Sequence, residues 1–238
     1  MSTHTQMDFD LIITVEHASN HVPAEVDLGV DREVLESHVA WDPGTKAIGE
    51  LLSRGLDAPL LLGQATRLVA DLNRSAHNRE VVPEIAFGVP VPGNQRLDEA
   101  GRAERIARYH AGYWKQARAW VEERMTARPV LHLSIHSFTP VLHGVERPMS
   151  LGVMYDPARP LENPLAEALI GALRQRRIET ADNGPYDGRA DALVTSLRRE
   201  HPENRYAGIQ IEHSLKHLPD MNALGRVVLE ALKEVLKR

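Results

Sequence analysis

The chain has 238 residues, 42% hydrophobic and 26% charged, so it can bury a core and matches the size of one α/β domain, residues 1–238. Its net charge of −5 and scattered basic residues argue against nucleic-acid binding and favour a small-molecule or peptide ligand. Cysteine is absent, which excludes disulfides, thiolate catalysis and Cys-ligated zinc. Since neither a signal-peptide pattern nor a membrane-spanning apolar run is found, we expect a soluble, cytoplasmic protein that does not contact membranes.

Short apolar runs alternate along the chain with amphipathic stretches, which is typical of βαβ units and a mostly parallel sheet. The predicted strands are Leu11–Val15, Leu60–Leu62, Leu68–Ala70, Val130–Ile135, Leu151–Tyr155 and Gly208–Ile211. The predicted helices are Arg32–Val39, Pro43–Leu56, Glu99–Ala127, Pro164–Arg176, Asp191–Arg199 and Met221–Lys237. The segment Ser75–Leu97 has little periodicity, so we interpret it as a long functional loop.

Polar side chains follow four of the predicted strands at the point where each strand ends. They are His17 and Asn20 after the first strand, Asp71, Asn73 and Arg74 after Leu68–Ala70, His136 and Ser137 after Val130–Ile135, and Glu212 and His213 after Gly208–Ile211. Because the carboxyl ends of parallel strands meet at one edge of a sheet, we expect these side chains to converge on one active site.

The converging residue types are suited to metal-assisted hydrolysis. Two neutral imidazoles, from His17 and His136, and a third oxygen ligand would hold zinc with one position open, and the ion would lower the pKa of a bound water toward ~7. Glu212 would then accept the proton of that water. Arg74 would clamp a substrate carboxylate through two parallel hydrogen bonds, with a further contact from Asn73. The pattern therefore predicts hydrolysis of an amide in an anionic substrate.

Several strings in this sequence, taken in order, resemble the N-formylglutamate amidohydrolase family and span most of the chain. They are EHASNHVP, HVAWDPGTKAIGELL, TRLVADLNRS, LSIHSFTP, DNGPYDG and IQIEHS. The resemblance implies kinship with the zinc carboxypeptidases and aspartoacylase, and so a mixed, mostly parallel α/β sheet with helices on both faces, a zinc-exopeptidase-like (phosphorylase/hydrolase-like) fold. It also implies cleavage of the formyl or other N-acyl group of a small acidic amino acid such as N-formylglutamate, as in histidine degradation.

The resemblance also implies roles for individual residues. His17 matches the first zinc ligand of these relatives and His136 the last. Asn73 and Arg74, within DLNR, match the pair that grips the substrate carboxylate. Glu212, within IQIEHS, matches the glutamate that activates water.

One position departs from the pattern of the relatives, which have an HxxE motif where this chain has HASN, ending in Asn20. Since a neutral amide oxygen is a poor zinc ligand, either Asn20 binds weakly or a carboxylate replaces it, with Asp42 preferred and Glu16 second. Asp42 stands before Pro43 and is equally suited to cap a helix. The predicted cofactor is one divalent metal, with Zn²⁺ favoured, although an oxygen-rich site suits other ions.

Four further residues receive predictions. Arg67, before the Leu68 strand, is either a second anion contact or a partner in a surface ion pair. Ser137, next to His136, is assigned to substrate binding. Tyr186 in DNGPYDG either closes over the substrate, as a mobile-loop tyrosine does in carboxypeptidases, or only packs in a turn. Asp71 is expected to orient the DLNR turn by accepting backbone N–H bonds.

Two other functions stay open at this point. One is a carboxypeptidase-like or cell-wall-peptide amidase that uses the same residues on a larger substrate, which the size of the pocket would distinguish. The other is a metal-free binding protein that lost its second ligand at Asn20, which metal content would distinguish. The sequence makes no prediction of the oligomeric state.

Overall fold

The computed structural model describes residues 8–218 and 220–237. Within these ranges, the strands are β1 (Asp10–Val15), β2 (Leu60–Leu62), β3 (Ile85–Ala86), β4 (Val89–Pro90), β5 (Val130–Phe138), β6 (Val141–Leu142), β7 (Val145–Glu146), β8 (Leu151–Met154), β9 (Thr180–Asp182) and β10 (Tyr206–Ser214). The α-helices are α1 (Arg32–Glu36), α2 (Thr45–Leu56), α3 (Pro92–Gln95), α4 (Glu99–Tyr109), α5 (Ala111–Met125), α6 (Glu162–Gln175), α7 (Leu193–Glu200) and α8 (Met221–Leu236). None of the described helices is long and apolar enough to cross a membrane.

A six-stranded sheet forms the centre of the fold, in the order β2-β1-β5-β10-β8-β9. Strands β2, β1, β5 and β10 are parallel, whereas β8 pairs antiparallel with β10 and parallel with β9. The predicted mixed, mainly parallel sheet is therefore confirmed. The register sets Glu212 of β10 directly opposite His136 of β5, which brings two predicted site residues together.

One face of the three central strands is apolar as far as Val15, Ile135 and Ile211, and Ser137 and His213 follow on the same face of β5 and β10. It carries Leu11, Ile13 and Val15 of β1, Leu131, Leu133 and Ile135 of β5, and Ala207, Ile209 and Ile211 of β10. These residues share a buried cluster with residues of α2, α6 and α8. Because side chains alternate along a strand, apolar residues at every second position place their side chains on one face, which packs against the helices.

The opposite face changes character along the strands. Near the start of β5 and β10 it is covered by α5 and α7, in a cluster that contains Ile12, Val130 and Tyr206. Toward the strand ends it becomes polar and carries Thr14, Glu16, His132, Ser134, His136, Gln210 and Glu212. Helices thus lie on both faces, as predicted, and the polar end of this face is where a site can form.

Several predicted elements are wrong in extent. Leu68–Ala70 is a turn, since Val69 N bonds to Thr66 O at 3.0 Å and the segment is buried in a cluster outside the main sheet. A short apolar run indicates burial and does not distinguish a strand from a buried turn. The predicted helix Glu99–Ala127 is two helices, α4 and α5, which meet at His110.

Other differences concern the site. β5 and β10 extend past their predicted ends, so His136, Ser137 and Glu212 lie within the strands. Helix α2 begins at Thr45 with Gly44 as its N-cap, so the side chain of Asp42 does not cap the helix. The segment predicted as a loop, Ser75–Leu97, contains the β3-β4 hairpin and α3.

Candidate metal centre and active site

Three buried side chains from separate segments meet at the polar end of the sheet. His17 follows β1, Asp42 lies in the loop before α2, and His136 is in β5. Asp42 Oδ2 lies 3.4 Å from His17 Nδ1 and 3.1 Å from His136 Nδ1, and one ligand atom from each residue falls within 4.8 Å of the others. The backbone N–H of Asp42 donates a hydrogen bond to His17 O at 3.0 Å, which holds the loop next to the end of β1. Two imidazole nitrogens and a carboxylate oxygen form a donor set that suits zinc.

The other ring nitrogen of each histidine faces a carboxylate. His17 Nε2 donates to Asp71 Oδ1 at 2.7 Å, and His136 Nε2 lies 3.1 Å from Glu16 Oε2. Metal-binding histidines are typically held in this way, because the outer hydrogen bond fixes the tautomer and the ring orientation. Both Nδ1 atoms are thereby directed toward Asp42. Asp71 also accepts from Asn73 N at 2.8 Å, in agreement with its predicted role in the turn.

The two histidines differ in protonation. Burial, helped by the charge of Arg67, lowers the pKa of His17 to about 4, so this ring is neutral near pH 7. Burial also opposes the charged form of His136, but the hydrogen bond and charge of Glu16 outweigh it, so the pKa of His136 is raised. A cation that binds His136 therefore competes with a proton more than a cation that binds His17 does.

The structure does not bring Asn20 to this cluster. Its side-chain amide donates to Leu35 O at 3.0 Å. A spacing of three residues places two side chains on one face only in a helix, and the chain after β1 is non-helical. Asp42 lies where the third ligand was expected from Asn20, and Glu16 contacts the outer nitrogen of His136 instead.

Glu212 lies beside the cluster on β10. It is 7% exposed, and its Oε2 is buried with no hydrogen-bond partner among the described residues. Burial raises the pKa of Glu212 although the charges of His136 and Arg67 oppose this effect. A buried carboxyl group with a raised pKa and a free oxygen is suited to proton transfer.

Arg67 is held against the candidate ligands. Its Nη2 donates to Asp42 Oδ1, and its Nε is buried without a partner among the described residues. The ring of Phe87 lies 5.7 Å from the guanidinium carbon. The guanidinium group therefore neutralises Asp42 on one side and leaves its buried Nε–H without a partner among the described residues.

Asn73 and Arg74 connect the DLNR turn to its surroundings. Asn73 Nδ2 donates to Gln210 Oε1 at 3.2 Å, and its Oδ1 accepts from Leu193 N at 3.2 Å. Arg74 Nη1 donates to the carbonyl groups of Asn73 and Asp191, at 3.2 and 3.1 Å. The side chain of Arg74 is 34% exposed, which leaves part of it open to a ligand.

Ser137 and Tyr186 lie at the inner and outer parts of the site. The backbone N–H of Ser137 donates to Asp42 Oδ2 at 3.2 Å, while its Oγ is buried and unpartnered among the described residues. Tyr186 is 38% exposed, and its hydroxyl accepts from Arg147 Nη1 at 3.2 Å. Burial raises the pKa of Tyr186, with a smaller contribution from the charge of Glu212.

One cavity of about 330 Å³ contains nearly all of the predicted site. It is lined by His17, Asp42, Arg67, Asn73, Arg74, His136, Ser137, Tyr186 and Glu212, and Asn20 is absent from its lining. Sequence reasoning missed Gln210 and Phe87, which also line it. The position of Gln210, two residues before Glu212 in one strand, was a usable signal, whereas nothing in the sequence pointed to Phe87.

Comparisons with known proteins identify relatives of the whole chain. The N-formylglutamate amidohydrolase family matches residues 9–216, a range that includes every predicted site residue. The structure of the gene product Atu2144 from Agrobacterium tumefaciens is 29% identical, with a TM-score of 0.86 over 97% of this chain and 92% of that chain. The structure of N-formylglutamate amidohydrolase from Ralstonia eutropha JMP134 shares the fold, at 18% identity and a TM-score of 0.79 over 98% of this chain and 94% of that chain. No curated protein sequence matches this chain.

Proposed function

The chain belongs to the N-formylglutamate amidohydrolase family, and we propose that it is a metal-dependent hydrolase that cleaves the amide bond of a small acidic N-acyl amino acid such as N-formylglutamate. The observation that carries this proposal is the convergence of His17, Asp42 and His136 beside the free, buried carboxyl oxygen of Glu212. Family membership supports a hydrolase of C–N bonds, and the site supports its metal dependence.

The donor set fits a divalent cation. Each Nδ1 atom faces Asp42 Oδ2, while each Nε2 atom is held by a separate carboxylate. Such an ion would act as a Lewis acid on the acyl carbonyl and promote ionisation of a water molecule. Zinc is the preferred candidate because the set combines two imidazoles with one carboxylate.

Glu212 is the proposed general base and general acid. Its unpartnered Oε2 accepts a proton from the attacking water as the C–O bond forms. The same carboxyl group then protonates the amide nitrogen as the C–N bond breaks, which releases the carboxylate of the acyl group and a free amine. The raised pKa of Glu212 assists the second step, because it makes the protonated form easier to keep until the leaving nitrogen takes the proton.

The cationic wall of the cavity is proposed to bind the substrate carboxylates. Arg74 is partly exposed, and its Nε and Nη1 already bond to Glu80 and to two carbonyl groups, so Nη2 is the part it offers to a substrate. Arg67 Nε and Ser137 Oγ are buried polar atoms that lack partners among the described residues. Hydrogen bonds to ionised groups are about twice as strong as neutral ones, so these residues favour anionic substrates. Asn73 holds the turn in place through Gln210 and Leu193.

The two alternatives from the sequence are less well supported. A cavity of about 330 Å³ lies near the lower end of the ~300–1,000 Å³ range of small-molecule sites, which favours a small substrate over a cell-wall peptide. The metal-free alternative depended on the loss of a ligand at Asn20, and Asp42 supplies a carboxylate there.

Formate release from N-formylglutamate tests the proposal directly. The protein is stripped with a chelator and reconstituted with Zn²⁺, and N-formylglutamate is compared with N-formylleucine and N-acetylglutamate. We expect zinc-dependent hydrolysis with a preference for the acidic side chain. Hydrolysis that is equally fast without metal, or no hydrolysis of any of these amides, would overturn the proposal.

A further inference from the structure

Glu16 is one residue before His17, yet its carboxylate serves the other histidine of the site. The side chain is fully buried, and Oε2 lies 3.1 Å from His136 Nε2. Ser134 Oγ donates to the same Oε2 at 2.8 Å and lies 2.8 Å from His136 Nε2. Ser134 and His136 project from the same face of β5, and Glu16 directly follows β1, two residues after Thr14, which pairs with Ser134.

Two carboxylates compete for the hydrogen of neutral His136, because Glu16 Oε2 lies 3.1 Å from Nε2 and Asp42 Oδ2 lies 3.1 Å from Nδ1. An ionised carboxylate only accepts hydrogen bonds, so Glu16 requires a hydrogen on Nε2. Ser134 has one hydroxyl hydrogen, which it donates in a hydrogen bond to Glu16. The lone pairs of Ser134 Oγ can then accept a hydrogen bond from Nε2–H of His136. Asn73 Nδ2 is 3.3 Å from the same nitrogen, but it has Gln210 Oε1 as a hydrogen-bond acceptor. Asp42 already accepts from Arg67 at Oδ1 and from Ser137 N at Oδ2, so it needs the hydrogen of His136 less than Glu16 does. In neutral His136, the hydrogen is therefore assigned to Nε2 and the lone pair to Nδ1, where a metal ion held with Asp42 would take it.

We infer that Glu16 is a positioning residue that fixes the ring and tautomer of His136 so that Nδ1 can bind the metal. The inference rests on the metal site of the proposed function and deepens it. Asp71 does the same for His17, so each proposed histidine ligand has its own buried carboxylate. Glu16 does not itself reach the ligand cluster, because it lies on the Nε2 side of the ring.

A purely structural role for Glu16 makes a different prediction. Glu16 Oε1 is buried without a partner among the described residues. Such an atom lowers the free energy of unfolding, and an apolar side chain at this position would avoid that loss. If Glu16 only filled space, methionine of similar length would replace it without loss of metal affinity. A positioning role instead requires the acceptor oxygen.

The experiment measures zinc affinity without substrate, by competition with a chromophoric chelator, in a graded series at position 16. Glu16→Met removes the acceptor, whereas Glu16→Gln keeps an oxygen without the charge. We expect zinc affinity to fall about 10–100-fold in Glu16→Met, the usual effect of losing such an outer partner, with Glu16→Gln between it and the wild type. Tyr206→Phe is the matched control, since it removes a buried hydrogen bond to His132 on the same sheet face away from the ligands.

Ring-nitrogen NMR shifts of His136 in the metal-free protein provide a second readout at a pH where the ring is neutral. The Nε2–H tautomer is expected in the wild type and in Tyr206→Phe, and a mixture of tautomers in Glu16→Met. Equal zinc affinity and an unchanged tautomer in Glu16→Met would overturn the inference. If the wild type bound no zinc, the proposed function would fail, while the NMR shifts would still decide whether Glu16 fixes His136.

Discussion

Alternate residues of the same central strands form the two faces of the sheet, and the two faces have opposite chemistry. On the face toward α2, α6 and α8, β5 carries Leu133 and Ile135, which are fully buried among other apolar residues. On the other face, the neighbouring residues Ser134 and His136 are equally buried but polar. One strand therefore supplies both the core and the site, and a shift of one residue exchanges them.

The comparison shows where stability and function are separated. Each apolar side chain that is fully buried contributes about 1.5–3 kcal/mol to folding. A buried polar atom without a partner costs about 1–3 kcal/mol, and Glu212 Oε2 is such an atom. The polar face is thus kept at the expense of stability, which is expected where a group must stay free for chemistry.

The most severe test of this separation compares two adjacent residues of β5. His136→Ala removes a proposed ligand, so we expect loss of stoichiometric zinc and a fall in kcat of about 10⁴-fold or more. Ile135→Val shortens a side chain on the core face and should cost about 0.5–1.5 kcal/mol of unfolding free energy. Elemental analysis, kinetics and urea denaturation measure these effects. Retention of zinc and activity by His136→Ala would show that the polar face is not the metal site.

The corresponding pair in β10 separates chemistry from metal binding. Glu212→Gln keeps the shape of the side chain but cannot accept the proton, so we expect kcat to fall on the order of 10³-fold while zinc affinity is retained. Ile211→Val, on the core face, is the control and should leave kcat unchanged. Equal kcat in Glu212→Gln and the wild type would exclude Glu212 as the general base.

The sequence was sufficient to predict site residues that lie in a strand or directly after one. Strand ends alone predicted that His17, His136 and Glu212 come together, because the carboxyl ends of parallel strands lie at one edge of a sheet, and the structure places all three at one cavity. Asn20 was considered because it follows the first strand and stands where the relatives have a glutamate, and the structure holds its amide on Leu35 O, away from the cluster. The carboxylate that lies at the cluster, Asp42, comes from a loop, and only the tertiary fold sets its distance from the histidines.

Longer elements show the same limit. The apolar periodicity of residues 99–127 continues through His110, so it predicts one helix where the chain forms two. The imidazole of His110 bonds to Arg74 O at 2.7 Å and stacks on Trp114, and both contacts depend on parts of the fold that periodicity does not contain. The partner of His17 at Asp71 was likewise beyond the sequence, since it depends on how the turn packs.

The rim of the cavity offers a milder test, on substrate charge. Arg74→Ala should raise KM for N-formylglutamate about 10–100-fold, the worth of a hydrogen bond to an ionised group, because the partly exposed guanidinium is the proposed carboxylate contact. A substrate analogue that lacks the bound carboxylate should show no such change. Steady-state kinetics with both substrates decide the matter, and an equal rise in both KM values would assign Arg74 to the fold of the turn.

The smallest expected effect is a graded pH dependence of zinc affinity, and it distinguishes the two histidines within the polar face. The pKa of His136 is raised, so in the metal-free protein its proton adds stability at low pH that is lost as the pH rises through that pKa. Zinc competes with this proton, and its affinity should fall as the pH drops through the same range, by about tenfold per unit. His17, with its pKa lowered to about 4, stays neutral across that window and adds nothing to the slope. A plot of log affinity against pH should therefore approach a slope of one, and a slope of two would mean that both rings gain protons together.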